Sequence, residues 1–275
     1  MYENSQRPTA SAWSSSVAVA VLVAIATGSS GKAAAIGAPT RAQGPSLGSH
    51  TLLAQPDREG TNPAIAGPIQ TQQTGSALLV LVGGYASNAG LPSDNYENIW
   101  LQQRTSIAYN GYGGRFNTAA YVALSAKGGK GHQVSLAKDS VATGEITAPF
   151  IEIRNAGVLQ DVASNYAVPG IMARLGRKLV QGWSGAELTS GSVTTTGPAT
   201  LVAVWWGDAY VYRMTAVPDN GFKVIERFLE LPPNSGVQCA VAVRQVDRAG
   251  TWRVSWAGTP AQGAILWLFA FQASH

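Results

Sequence analysis

The sequence of 275 residues predicts an all-β fold: a jelly-roll-type β-sandwich built from two similar halves, with an extended N-terminal arm. Three observations lead there. From residue 69 onward, short β-type runs are separated by Gly, Asn, Asp and Pro, the punctuation of hairpins and turns. The runs recur in the same order later in the chain. Charged residues make up only 12% of the sequence, while Gly and Pro number 31 and 14, which suits many turns and short, covered strands.

The first 68 residues stand apart as an arm, or as a signal plus linker. Residues 8–31 carry no charge, and Val17 to Ala26 (VAVAVLVAIA) is continuously apolar. That run is shorter than the roughly 20 apolar residues a membrane-spanning helix needs. It has two readings. One is the apolar core of a secretory signal, with a cleavage zone near Ala33–Ala35. The other, preferred here, is an uncleaved segment that packs inside an assembly. Residues 36–68 are rich in Gly, Pro, Ala, Ser and Thr without a sustained period, and read as an extended linker with turns at Pro39, Pro45, Pro56 and Pro63.

The duplication spans about residues 69–154 and 191–272. Thr71–Val80 lines up with Val193–Val202, Leu91–Asn95 with Val217–Asn220, and Ala119–Leu124 with Cys239–Val243. Gly131–Leu136 lines up with Gly250–Trp256, and Ile146–Ile153 more loosely with Gly263–Phe271. Between the copies lies an insertion at about 155–190. Its segment Val168–Leu179 comes nearest to a helical period, weakened by Pro169, Gly170 and Gly176. Ala77–Val82 and Thr200–Trp206 are nearly unbroken apolar runs, as expected of strands covered on both faces. In Trp252–Trp256, Trp252, Val254 and Trp256 alternate with Arg253 and Ser255, as expected of a half-buried strand. Sheets with such strands need a partner to cover them, which favours one two-part sandwich over two separate beads.

Several segments together resemble a module of bacterial surface and secreted proteins and of phage and prophage proteins. They are G-S-A-L-L-V-L-V (75–82), P-S-D-N-Y-E-N-I-W (92–100), the run 119–136 and F-I-E-I-R-N-A-G (150–157). The later segments 192–208, 249–256 and 262–271 are similar to the rest of that module. The resemblance covers about residues 62–272. It implies a jelly-roll or lectin-like sandwich, and it transfers no catalytic motif.

The composition narrows the chemistry. Nineteen Lys and Arg against fifteen Asp and Glu give a formal charge of +4, too sparse for an electrostatically driven nucleic-acid binder or a disordered tail. One cysteine, Cys239, excludes an intrachain disulfide framework, and three histidines leave little for a His-based metal site. Gly128–Gly131 lacks the spacing of a phosphate loop, and Gly182-Trp-Ser-Gly185 falls short of a nucleophile elbow. His132 reads as a turn histidine. Glu145 and Glu152 flank one strand seven positions apart, on opposite faces, so they make no glycosidase pair. Asp94 and Asp219 sit beside turn residues and read as Asx-type turn formers, with loop oxygens that a Ca2+ ion could also use.

The aromatic residues are the candidates for contact. Trp205 and Trp206 are adjacent on one strand and face opposite sides; Tyr210 and Tyr212 follow at its end. Tyr109, Tyr112 and Arg115 sit in the Gly-rich loop Tyr109–Arg115. These seven residues are expected to meet either a glycan or a neighbouring subunit, or to fill the core. No catalytic residue, cofactor or metal site is assigned. The expected function is therefore a non-enzymatic structural or adhesion subunit of an exterior assembly, a phage virion above all (capsid decoration, fibre or tail). Its partners would be other copies and neighbouring virion or surface proteins, engaged through the arm, and cell-surface glycan. Nucleic acid and a stable membrane span are not expected. Two alternatives stand: a secreted bacterial lectin-like glycan-binding protein with a removed signal peptide, and a secreted polysaccharide-degrading enzyme.

Overall fold

The computed structural model describes residues 44–85, 90–109, 114–139, 141–168, 186–208, 213–232 and 237–274. These form strands and connections with no α-helix. The strands, in chain order, begin with β1 (Ser46–Gln55), β2 (Ala64–Ile69), β3 (Ser76–Tyr85), β4 (Ser93–Asp94), β5 (Leu101–Ala108) and β6 (Phe116–Ala126). There follow β7 (His132–Leu136), β8 (Ile146–Arg154), β9 (Val158–Ala167), β10 (Ala186–Thr189), β11 (Val193–Thr195) and β12 (Ala199–Asp208). The last are β13 (Thr215–Pro218), β14 (Lys223–Phe228), β15 (Val237–Val246), β16 (Gly250–Trp252), β17 (Ser255–Thr259) and β18 (Ala264–Gln272).

Two five-stranded antiparallel sheets, ordered β1-β8-β3-β6-β5 and β14-β15-β12-β18-β9, lie face to face at the centre. A three-stranded sheet β2-β7-β4 covers the outer face of the first. The sheets β10-β17-β13 and β11-β16 cover the outer face of the second. The body is thus four β-layers deep, with three apolar cores between them.

The unbroken apolar runs follow from this layering. In β3, Ala77, Leu79 and Leu81 face the central core, while Leu78, Val80 and Val82 face the outer one. In β12, Val202, Val204 and Trp206 point inward and Leu201, Ala203 and Trp205 outward. β18 is buried along its whole length for the same reason. A strand walled on both sides has no solvent face on which alternation could appear.

The central core is locked by side chains that cross it. The Trp206 indole donates to Thr147 Oγ1 at 3.0 Å, and the Trp267 indole donates to Thr118 Oγ1 at 2.9 Å. Both indoles come from the second sheet and both hydroxyls from the first, so each buried N–H has an acceptor. Gly83 makes room: a Cβ at that position would stand 2.2 Å from Trp206 Nε1. At the two flanks, His50 Nδ1 of β1 lies 2.8 Å from Glu226 Oε1 of β14, and Arg104 of β5 donates to the Val162 carbonyl of β9 at 3.0 Å. Cys239 is fully buried in this core, and burial pushes its thiol pKa up.

Two expectations about boundaries need correction. The stretch read as linker holds β1 and β2, and the stretch read as an insertion holds β9 and β10. Every residue of β1 is half-buried, as is nearly every residue of β9, because both are sheet edges with partial cover; neither shows clean alternation or an apolar run. His50 accordingly sits in a strand. The segment Trp252–Trp256 does not alternate throughout, since Val254, Ser255 and Trp256 are all buried; the strand breaks after Trp252, so the segment serves two outer sheets in turn. Residues 1–43 and the segment Pro169–Leu179 lie outside the described residues.

Candidate functional site

The seven aromatic and basic candidates separate sharply. Trp205 and Trp206 do face opposite sides, but each side is a core, and they are 1% and 0% exposed. Neither can stack on a sugar or a neighbour, a correction imposed by the four-layer packing. Tyr109 is buried too: its hydroxyl donates to the Gly263 carbonyl at 3.2 Å and its ring meets Tyr166 and Trp206 edge-on. It plugs the end of the central core. Arg115 is exposed. Its guanidinium lies over the Tyr85 ring, 5.7 Å from the centroid, and donates to the Tyr85 hydroxyl at 2.6 Å. Tyr112, Tyr210 and Tyr212 lie outside the described residues, as does Gly182–Gly185.

The chain connections explain which candidates come together. β3 ends at Tyr85, which pairs with Phe116 at the start of β6, and β12 ends opposite Val237 at the start of β15. The contact of Tyr109 with Trp206 and Gly263 brings these two ends alongside each other. Tyr109 and Arg115 therefore belong with the ends of β3 and β12, at one end of the body. Tyr85, packed edge-on against Phe116, joins Arg115 there. Sequence reasoning missed Tyr85, although a tyrosine closing an apolar run is the signal that marks it.

Several buried polar groups hold backbone amides or carbonyls. Asp94 Oδ1 accepts from the amides of Tyr96 and Asn98 and from Asn98 Nδ2; Oδ2 accepts from the Trp100 indole at 2.7 Å. Burial works to raise this carboxyl, but His132 and those donors outweigh it and hold it at about 2. The expected Asx turn is present, and both oxygens are occupied by N–H donors. At Asp219 the turn is closed by the backbone instead, Phe222 N donating to the Asp219 carbonyl at 3.1 Å, while the carboxylate accepts from the distant Ser255 N at 2.7 Å. His132 is the fully buried first residue of β7, with Nδ1 2.9 Å from Thr71 Oγ1 and Nε2 3.7 Å from Asp94 Oδ1. The Tyr96 ring covers it.

Glu152, also fully buried, accepts from Ser49 N, Gln72 N and Ser76 Oγ, tying β1 to the β2–β3 connection. Lys138 is a buried cation held by neutral oxygens: Gln55 Oε1 at 3.1 Å, the Ala142 carbonyl at 3.1 Å and the Gly144 carbonyl at 2.6 Å. Burial brings its pKa down to about 8.

A hollow among the described residues has the size of a binding site. It opens between β13 and β14 with a volume of about 670 Å³. Met214, Ala216 and Leu229 are buried beneath it, and Val217, Val224 and Arg227 line its mouth. Arg213 and Glu230, which also line it, pair with each other, their side chains meeting at 3.4 Å. No candidate residue named from the sequence lines it.

Among the described residues no helix is long and apolar enough to cross a membrane. Comparisons with protein-family models, with curated proteins and with solved structures find no match.

Proposed function

We propose that the chain is a non-enzymatic structural or adhesion subunit of a repetitive exterior assembly, a phage particle above all, held in place by its N-terminal arm. The architecture behind this reading is a duplicated jelly roll. Read outward from equivalent edges, the central sheets run β1-β8-β3-β6-β5 and β9-β18-β12-β15-β14, and the outer sheets β2-β7-β4 and β10-β17-β13. Four of the five matched pairs set strands at the same position in these orders against each other, which supports the reading; the fifth sets β7 against β16 and only the start of β17.

The observation that carries the function is a division of apolar character. The described body closes its three cores with its own strands. The uncharged run Val17–Ala26 precedes it, and an apolar segment of that kind needs cover from elsewhere. The buried polar groups support the same reading, since Asp94, Glu152 and Lys138 hold strands and loops together. The test compares the full chain with a chain beginning at residue 44, by light scattering and negative-stain imaging. The full chain is expected to form large regular assemblies that the shortened chain cannot; equal behaviour of the two would overturn the role of the arm.

One observation favours a second reading, a secreted lectin-like glycan binder. The half-buried Tyr85 ring and the exposed Arg115 guanidinium on its hydroxyl set an aromatic side chain beside a charged donor at this end of the body. Binding to bacterial surface polysaccharide that is lost in Tyr85→Ala and in Arg115→Ala would select it.

A further inference from the structure

Ile99 is 82% exposed, more than any other large apolar residue described. It does not wave in solvent. Asn98 before it is pinned on both sides: its backbone amide donates to Asp94, its Nδ2 to the Lys127 carbonyl, and its Oδ1 accepts from Lys127 N at 2.8 Å. Trp100 after it is 3% exposed and anchored by its indole to Asp94. The frame thus holds an isoleucine out into water, with Leu101 58% exposed beside it and the exposed carboxylate of Glu97 on its flank. A fixed apolar projection loses little entropy on burial, which is the character of an interface anchor.

The hollow between β13 and β14 has the complementary form. Its floor is apolar, and its volume exceeds what one isoleucine side chain fills. At its mouth Arg227 is exposed and has no carboxylate within ion-pair distance among the described residues, whereas Arg213 is taken by Glu230. Apolar knob meets apolar hollow, and the acid on the knob's flank meets the unpaired base at the hollow's rim.

We propose that Ile99 of one copy seats in the β13–β14 hollow of the next, with Glu97 paired to Arg227 across the junction. The two surfaces differ, so the contact is head-to-tail and joins copies into a chain or ring. This proposal rests on the reading of the protein as a subunit of an assembly and names the body-to-body contact within it.

The test uses the full chain with Leu101→Cys and Val224→Cys together, oxidised and run without reductant. The expected result is a ladder of cross-linked multimers, whereas either cysteine alone gives no ladder. Adding Ile99→Asp or Arg227→Glu should abolish the ladder with the circular dichroism spectrum unchanged, and Glu97→Arg combined with Arg227→Glu should restore it. Absence of a ladder, or a ladder indifferent to Ile99→Asp and Arg227→Glu, overturns the junction. Assembly of the full chain without a ladder would overturn the junction and leave the arm reading intact. A ladder in a chain whose assembly ignores removal of the arm would do the reverse.

Discussion

Gly83 shows how much one missing methyl group decides. Trp206 crosses the central core into the space above it and reaches Thr147 beyond. Gly83→Ala should displace the indole and cost about 1–3 kcal/mol, the usual range for overpacking. Urea unfolding followed by tryptophan fluorescence would measure it, and an unchanged midpoint would refute the packing described. Thr147→Val should cost a similar amount by leaving the indole N–H unpaired. Asp94 makes a prediction in pH. Its carboxyl is held at about 2 in the folded chain against an ordinary 3.8. The unfolded chain therefore binds the proton first as pH falls, so the stabilisation is whole above about pH 5 and fades between pH 4 and 2. It amounts to about 2 kcal/mol. Asp94→Asn should be less stable than the parent at pH 6 by roughly that amount, with the gap closing near pH 2.

Glu152 and Lys138 act on whole elements. Glu152 fastens β1, an edge strand, to the loop that leads into β3. Glu152→Ala should leave the Ser49 and Gln72 amides unpaired and speed hydrogen exchange along β1 well before the central strands respond. Equal exchange in parent and variant would show that β1 is held by its ladder with β8 alone. Lys138 clips the β7–β8 connection to the end of β1. Its pKa of about 8 lies below the ordinary 10.5. The unfolded chain then holds more protons between these values, so stability should rise with pH across that window, by on the order of 2 kcal/mol. Lys138→Met should lack the rise.

The same elements show what the sequence could reveal. β3, β12 and β18 announce themselves because a strand buried on both faces must be apolar throughout. The Asp94 turn announces itself through its Asx chemistry. β1 and β9 do not, since a half-covered edge strand places no strict demand on any one position. Trp205 and Trp206 were legible as a pair pointing to opposite sides. That both sides are interior depends on a fourth layer supplied by β10, β13 and β17, which no local pattern encodes. The hollow between β13 and β14 is equally silent, being formed by two strands of different sheets.

At the scale of the molecule, the central core belongs to both halves at once. Removing either half would strip cover from Leu79, Leu81, Val122, Ile151 and Ile153, or from Val204, Trp206, Trp267 and Phe269. The full chain should therefore unfold in one calorimetric transition, and residues 44–157 alone should aggregate or dimerise through the bared sheet. Two separate transitions would mean that the halves are independent beads. The lone thiol of Cys239 lies in this shared wall. It has no route to solvent while the two sheets stay together, so an alkylating reagent reads out their parting directly. The rate at which the native protein takes up such a label is a clock for how often the two central sheets let go of each other.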